Sequence, residues 1–386
     1  MTDNLSREEF LRRSFAIGAL IAVPGLAAEV ARAGGLKIPP GVDPKRLKKT
    51  LRFSNWPLYI DYDKKHHRYP SLELFTKQYG VKVDYHEDIN QNETFFGKYQ
   101  AQFRRKQSIG RDLIVMTDNS RFPALMVQQG WLEKIDKSVI PNIKNLLPAL
   151  ANPSWDPHRE HSLPWQSGMT GIGYNAKYTK PVTSVDQLLF DRKLKGKVTL
   201  LDSIGDTLPV VVLSNGDDPG KIDDAAFNRA LKKIEKAKKA GQIRKFTGND
   251  YISMFPTGDV WAGLVWSGDM PQITPSTPRA KWLIPKSGGT IWTDNMLIPP
   301  GGDSYTASVY MNFYYQPKIA ALVEEAIYYV CPVKGAGAEI KKIDPAAARS
   351  RLIFPTKEML KKIYVVDPKA LFNPDFQVKW QSMLGA

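Results

Sequence analysis

The 386-residue chain has a single cysteine, Cys331, so neither a disulfide framework nor a multi-cysteine zinc site can form. Histidine is scarce as well: His66, His67, His86, His158 and His161 are the full set. His66-His67 adjoins Lys64, Lys65 and Arg68, whose charges oppose a metal cation. His158 and His161 flank Glu160, but Pro157 and Pro164 suggest a loop rather than a helix presenting both rings to one ion. The only long apolar run, Ala16 to Ala28, is too short and too rich in Ala and Gly for a stable span, which excludes a polytopic membrane protein. No Gly-x-Ser-x-Gly elbow, phosphate-binding loop or dinucleotide fingerprint follows a strand-like segment. The neighbours of Cys331 are apolar and suit a small buried residue better than a nucleophile. An enzyme therefore lacks a candidate apparatus, and no metal or cofactor is implied.

What is present is an ordinary globular composition, 42% apolar and 24% charged, which argues for a packed chain of roughly two to three domains. Lys and Arg exceed Asp and Glu by 15, a balance that attracts polyanions. The basic residues are dispersed over Arg104–Lys106, Lys193–Lys197, Lys232–Lys245 and Lys361–Lys362, which favours solvated faces over a nucleic-acid interface. Residues 1–33 read as an export signal: Arg12-Arg13 precedes the apolar run and resembles a twin-arginine leader, with a small-residue site at Ala31-Arg32-Ala33. No cysteine follows the run, so a lipid anchor at that position is excluded. Residues 34–48, with Gly34-Gly35 and Pro39-Pro40-Gly41, read as a linker.

From Leu51 onward, short apolar runs alternate with helical periodicity. Strands are expected at Leu51–Asn55, Val81–Tyr85 and Asp112–Met116, with helices at Ser71–Gln78 and Thr94–Phe103 between them. A second block places strands at Val198–Leu201 and Val260–Trp266 around a helix over Asp224–Ala240, capped by Asp223 or Asp224 and ended by Gly241. Such alternation predicts an α/β fold with a parallel sheet, where ligands sit beyond the carboxyl ends of strands.

The strand ends carry the chemistry. They read Asn55-Trp56-Pro57-Leu58-Tyr59, Thr117-Asp118-Asn119, Asp202-Ser203-Ile204-Gly205-Asp206 and Trp266-Ser267-Gly268-Asp269, and a later segment reads Trp292-Thr293-Asp294. Each alone is weak, since a Trp there is commonly core and an Asp commonly a helix cap. Repeated together, aromatic rings beside carboxylates suit an organic cation: carboxylates take ammonium groups and ring faces cover methylenes.

Together with Gly130-Trp131-Leu132-Glu133, Leu163-Pro164-Trp165, Gly173-Tyr174-Asn175, Gly263-Leu264-Val265-Trp266-Ser267-Gly268 and Pro285-Lys286-Ser287-Gly288-Gly289, these segments give a sequence that resembles the spermidine/putrescine-binding proteins, solute receptors of polyamine ABC importers. The resemblance spans about Leu51 to Tyr364. It implies a two-lobe, periplasmic-binding-protein-like fold of type II with a ligand cleft between lobes, one of 49–167 with 294–345 and one of 168–293 with 346–386. It implies that Trp56 and Tyr59 flank a methylene chain, that Asp206 and Asp294 receive amines, and that Trp266 and Trp292 wall the chain. Tyr329 is implied as a further site tyrosine, with Asp118 and Asn119 on an adjoining loop. It also implies a monomeric receptor that delivers its ligand to membrane permease subunits. Another acidic position of the family falls on Ser203, with Asp202 beside it, and Leu58 stands where some relatives carry an acid. Putrescine, spermidine, another amine such as an opine or aminophosphonate, and an anionic solute such as an iron chelate stay open as ligands.

Overall fold

The computed structural model describes residues 38–366 and 371–385, so the expected export signal lies outside the described residues. These form two compact units: 38–167 with 292–355, and 168–291 with 356–366 and 371–385. The boundaries fall inside two long strands, β4 (Ser162–Asn175) and β9 (Gly289–Leu297). The stretch 346–355 belongs to the first unit, where Ala347 and Ile353 are buried, whereas the sequence reading gave it to the other lobe.

In the first unit, β1 (Thr50–Asn55) pairs in parallel with β2 (Lys82–Glu87) and β3 (Leu113–Thr117), Leu51 opposite Val83 and Phe53 opposite Leu113. Helices Pro70–Tyr79 and Asn92–Arg104 make the crossovers, as the periodicity indicates. The helix Ser304–Tyr314 is buried from Tyr305 onward, so its sequence is apolar or small and shows little amphipathic contrast. Phe53, Trp165, Tyr310, Phe75 and Phe313 pack against one another edge to face around it. The segment read as a linker is tied down at its end: Val42 is buried, Asp43 N donates to the Tyr305 hydroxyl, and Lys48 N donates to Thr306 Oγ1.

In the second unit, β5 (Val198–Leu201) pairs in parallel with β6 (Ile243–Thr247) and β7 (Ala262–Trp266). The helix Ile204–Ser214 is buried throughout its first ten residues. Helix Asp224–Lys239 is amphipathic: Phe227, Leu231 and Ile234 face the core, and Asp223 caps its start by accepting from Ala226 N. Gly241, at φ 70°, supplies the left-handed exit. The remaining strands are β8 (Ala280–Leu283), antiparallel to β4, and β10 (Ile363–Val365), parallel to β9.

The βαβ pairings are parallel as expected, but the sheet as a whole is mixed. In the first unit β9 runs antiparallel to β3, with Thr117 opposite Asp294; in the second, β4 runs antiparallel to β7, with Thr170 opposite Trp266. Both antiparallel strands carry the chain between units rather than completing a β-α-β crossover, and hydrophobic period alone does not encode a strand's direction. No described helix is long and apolar enough to cross a membrane.

Candidate functional site

The first unit gathers seven of the sequence-predicted residues. Beyond β1, the buried Asn55 side chain accepts from Trp56 N at 2.9 Å and donates to Tyr59 O at 3.5 Å, folding the next four residues into a tight loop. Leu58 sits within it at φ 58°, a left-handed conformation that costs an L-residue about 1–2 kcal/mol. The loop is fastened at its far end by Asp61, whose carboxylate accepts the backbone N–H and the hydroxyl of Ser71 in the first turn of helix Pro70–Tyr79. Those bonds favour the carboxylate, but burial outweighs them and pushes Asp61 up to about 7.

This loop aims two aromatic side chains. The Trp56 indole donates to Val115 O on β3 at 3.2 Å, and the Tyr59 hydroxyl donates to Asp294 Oδ2 at 2.6 Å. Thr117, the last residue of β3, donates its hydroxyl to Asp294 Oδ1, also at 2.6 Å. The β3–β9 register makes this inevitable, because Thr117 and Asp294 are direct cross-strand partners. Around Asp294 the Tyr59 and Tyr329 rings meet edge to face at 4.8 Å, and Trp292 lies 5.9 Å from Tyr329. Burial first, then the Asp294 charge, holds the Tyr59 phenol well above its ordinary range, so it stays a donor.

Asp118 plays a different part. Its backbone N–H donates to Thr293 O at 2.9 Å and its Oδ1 accepts from Thr293 N at 2.8 Å, so the carboxylate extends the β3–β9 ladder. Burial raises it to about 6, against the Thr293 N–H and the nearby Arg159 cation. Arg159, itself buried, donates to Asn295 Oδ1 at 2.8 Å, bracing β9 next to Asp294. Asn119 is buried in the turn beside Asp118.

The second unit holds the other two predicted residues. Asp206 lies in the first turn of helix Ile204–Ser214, where the helix dipole favours a negative charge. Its Oδ1 accepts from the Thr170 hydroxyl at 2.7 Å and from the Trp266 indole at 3.1 Å. Next to it is a group the sequence reading quoted but did not single out. Asp269, 3% exposed, accepts from the Tyr251 hydroxyl at 2.5 Å and from Asn249 Nδ2 at 3.2 Å. The Tyr251 hydroxyl in turn accepts from Trp266 N at 3.1 Å. Thr117, Thr170 and Tyr251 were missed as well: Thr117 ends β3, Thr170 lies inside β4 and Tyr251 opens a helix, and their carboxylate partners stand 177, 36 and 18 residues away.

Each cluster thus pairs a buried carboxylate with neutral hydroxyl or indole donors and aromatic faces. Such donors orient a carboxylate and leave its negative charge in place for a cation. Cys331 is buried, its thiol pushed well above its ordinary range by burial and directed at Val333 O at 3.7 Å. His66 pairs with Asp63, His158 lies in a 3-10 turn over Pro157–Arg159, and His161 meets Glu133 O. Among the described residues no three His, Cys, Asp or Glu side chains group to hold a metal.

The sequence profile of bacterial extracellular solute-binding proteins matches residues 72–349. The spermidine/putrescine-binding periplasmic protein of Escherichia coli (strain K12) is 29% identical over 321 residues, 81% of this chain and 85% of that protein. The putrescine-binding periplasmic protein SpuD of Pseudomonas aeruginosa (strain UCBPP-PA14) is 30% identical over 356 residues, 86% of this chain and 89% of that protein. A solved structure from Listeria monocytogenes matches with a TM-score of 0.73 at 24% identity over 87% of this chain and 99% of that one, which shows a shared fold. The α/β architecture, the two strand-end clusters and a profile match over most of its length make this chain a member of the bacterial extracellular solute-binding protein family.

Proposed function

We propose that the chain is the exported solute receptor of an ABC importer and that its ligand is a polyamine, putrescine or spermidine. The observation that carries this reading is the buried Asp294 carboxylate, held by the Tyr59 and Thr117 hydroxyls beside the Trp292 and Tyr329 rings. An ammonium group matches the charge, and the rings match the methylene chain. Asp206, a carboxylate of the second unit oriented by Thr170 and Trp266, offers the same chemistry to an ammonium group. The names of the relatives support an amine over an anion, as does the sign of both clusters. The receptor is monomeric and hands its ligand to a membrane permease. Export is directed by residues 1–33, and replacing Arg12 and Arg13 by lysine retains the precursor inside the cell.

The test is a thermal-shift and calorimetric screen of residues 34–386 against putrescine, spermidine, spermine, an opine, an aminophosphonate and phosphate. A ligand that binds only the folded state raises the melting temperature. A selective rise with one polyamine is expected and chooses the substrate. A rise only with phosphate or another anion overturns the amine assignment.

A further inference from the structure

Two basic runs that stand far apart in the sequence, Lys193–Lys197 and Lys232–Lys245, meet on the second unit. The 3-10 turn Arg192–Leu194, which follows helix Val185–Phe190, is tied to the chain leaving helix Asp224–Lys239. The buried Gln242 donates from Nε2 to Leu188 O and to Asp191 O, both at 3.0 Å, and its carbonyl accepts from Gly196 N at 3.1 Å. Lys195 Cε would stand 3.5 Å from a Cβ on Gly241, and Lys236 Nζ lies over the Phe190 ring, 5.5 Å from its centroid. These ties gather the exposed Arg192, Lys193 and Lys195 of the turn beside Lys232, Lys236 and Lys239, which form one exposed stripe of the helix.

The carboxylates nearby are already engaged. Asp186 pairs with Lys233 at 2.7 Å, Asp191 Oδ1 accepts from Lys193 N at 3.0 Å as the cap of the turn, and Glu235 is half-buried. Among the described residues none of the six exposed cations forms a salt bridge. The negative end of a helix accounts for Lys236 and Lys239. It does not account for Lys232 or for the three cations of the adjoining turn, whose mutual repulsion the fold sustains without a counter-charge.

We propose that this face docks the protein on a membrane surface rich in anionic phospholipid. Five of its six cations are lysines, compact point charges that suit a plane of headgroups; a nucleic-acid interface would favour the guanidinium fork that reads phosphates and base edges. Phe190, 39% exposed among them, offers an apolar ring to the boundary between headgroups and acyl chains. The formal charge of +15 draws the whole chain toward such a surface, and the face decides which side meets it. The proposal goes beyond the receptor reading and does not depend on which solute is bound.

The experiment is flotation with vesicles of phosphatidylcholine alone and of equal parts phosphatidylcholine and phosphatidylglycerol. The protein should float with the anionic vesicles only, and less at high salt. Combining Lys193→Gln, Lys195→Gln, Lys236→Gln and Lys239→Gln should lower the partition coefficient about tenfold or more. A control that removes the same charge from exposed positions of the first unit, Lys77→Gln, Lys82→Gln, Lys98→Gln and Lys318→Gln, should lower it less than about threefold. Arginine at the same four positions of the face should bind like wild type, and urea unfolding confirms that each variant is folded. Residues 1–33 are common to all variants, so whatever they contribute cancels. Equal flotation with both vesicle types, an equal loss in the two glutamine sets, or a loss in the arginine set overturns the proposal. Binding of a DNA duplex that is abolished by the face substitutions, with no flotation on anionic vesicles, assigns the face to nucleic acid and overturns it as well.

Discussion

Asp294→Asn is the most informative single change. Asp294 is 3% exposed and receives hydroxyl protons from Tyr59 and Thr117, both at 2.6 Å. The amide keeps the shape, and its oxygen still accepts one hydroxyl, but its nitrogen confronts the other, which must rotate to accept. That rearrangement should cost about 1 kcal/mol of stability, the worth of one net hydrogen bond, or a fall of about 1–2 °C in melting temperature for a protein of this size. The ligand loses more. A hydrogen bond from an ammonium to a carboxylate contributes about 1.5–3 kcal/mol, so affinity for putrescine or spermidine should fall about ten- to a hundredfold. Isothermal calorimetry at fixed salt measures it, with urea unfolding to confirm the fold. Asp118→Asn is the internal control: its oxygen already serves Thr293 N, the amide oxygen can do the same, and affinity should not change. If Asp294→Asn binds like wild type while Asp118→Asn is weakened, the roles assigned to the two carboxylates are refuted.

Three further outcomes follow from the same geometry. A Cβ on Gly263 would lie 2.3 Å from Thr199 Cγ2 and 2.7 Å from Thr199 O, so Gly263→Ala must part β5 from β7; it should cost about 1–3 kcal/mol, and an unchanged urea midpoint would show that the strands yield freely. Asp61 is raised to about 7 from 3.8, so the folded protein holds its proton more tightly than the unfolded chain. Its contribution is fully present below about pH 4 and is lost as pH rises through about 7, up to about 4 kcal/mol by linkage, so Asp61→Asn, which can still meet both Ser71 groups, should flatten the fall in stability across that window. Finally, the formal charge of +15 repels a polycation at long range, and because the screening length falls to about 8–10 Å at physiological salt, association of spermidine should accelerate from low to physiological ionic strength. Stopped-flow fluorescence measures this, and a slowing with salt would mean that local carboxylates steer the approach.

The parts of the site legible in the sequence are those fixed by neighbours along the chain. The strands and helices over 50–117 follow from apolar spacing, and β1 and β3 end where Asn55-Trp56 and Thr117-Asp118 mark a change of chemistry. Helix Asp224–Lys239, with Asp223 as its cap, follows from the same local rules. The acidic and aromatic residues at strand ends pointed to a cation binder without any coordinates. The direction of β9 was not legible, nor was the tie of residues 43 and 48 to helix Ser304–Tyr314, because neither leaves a periodic trace.

By itself, then, the sequence determined which short elements form and which side chains stand at their ends, since backbone propensity, capping and amphipathic spacing act within a turn or two. Tertiary structure alone decided what those side chains do. Thr117 reaches Asp294 across 177 residues, and Asp118 spends its carboxylate on Thr293 across 175, so two adjacent strand-end residues acquire different roles from one cross-strand register. Such pairings are chosen by burial of the whole sheet, which must satisfy every polar group it encloses, and no local pattern carries that information.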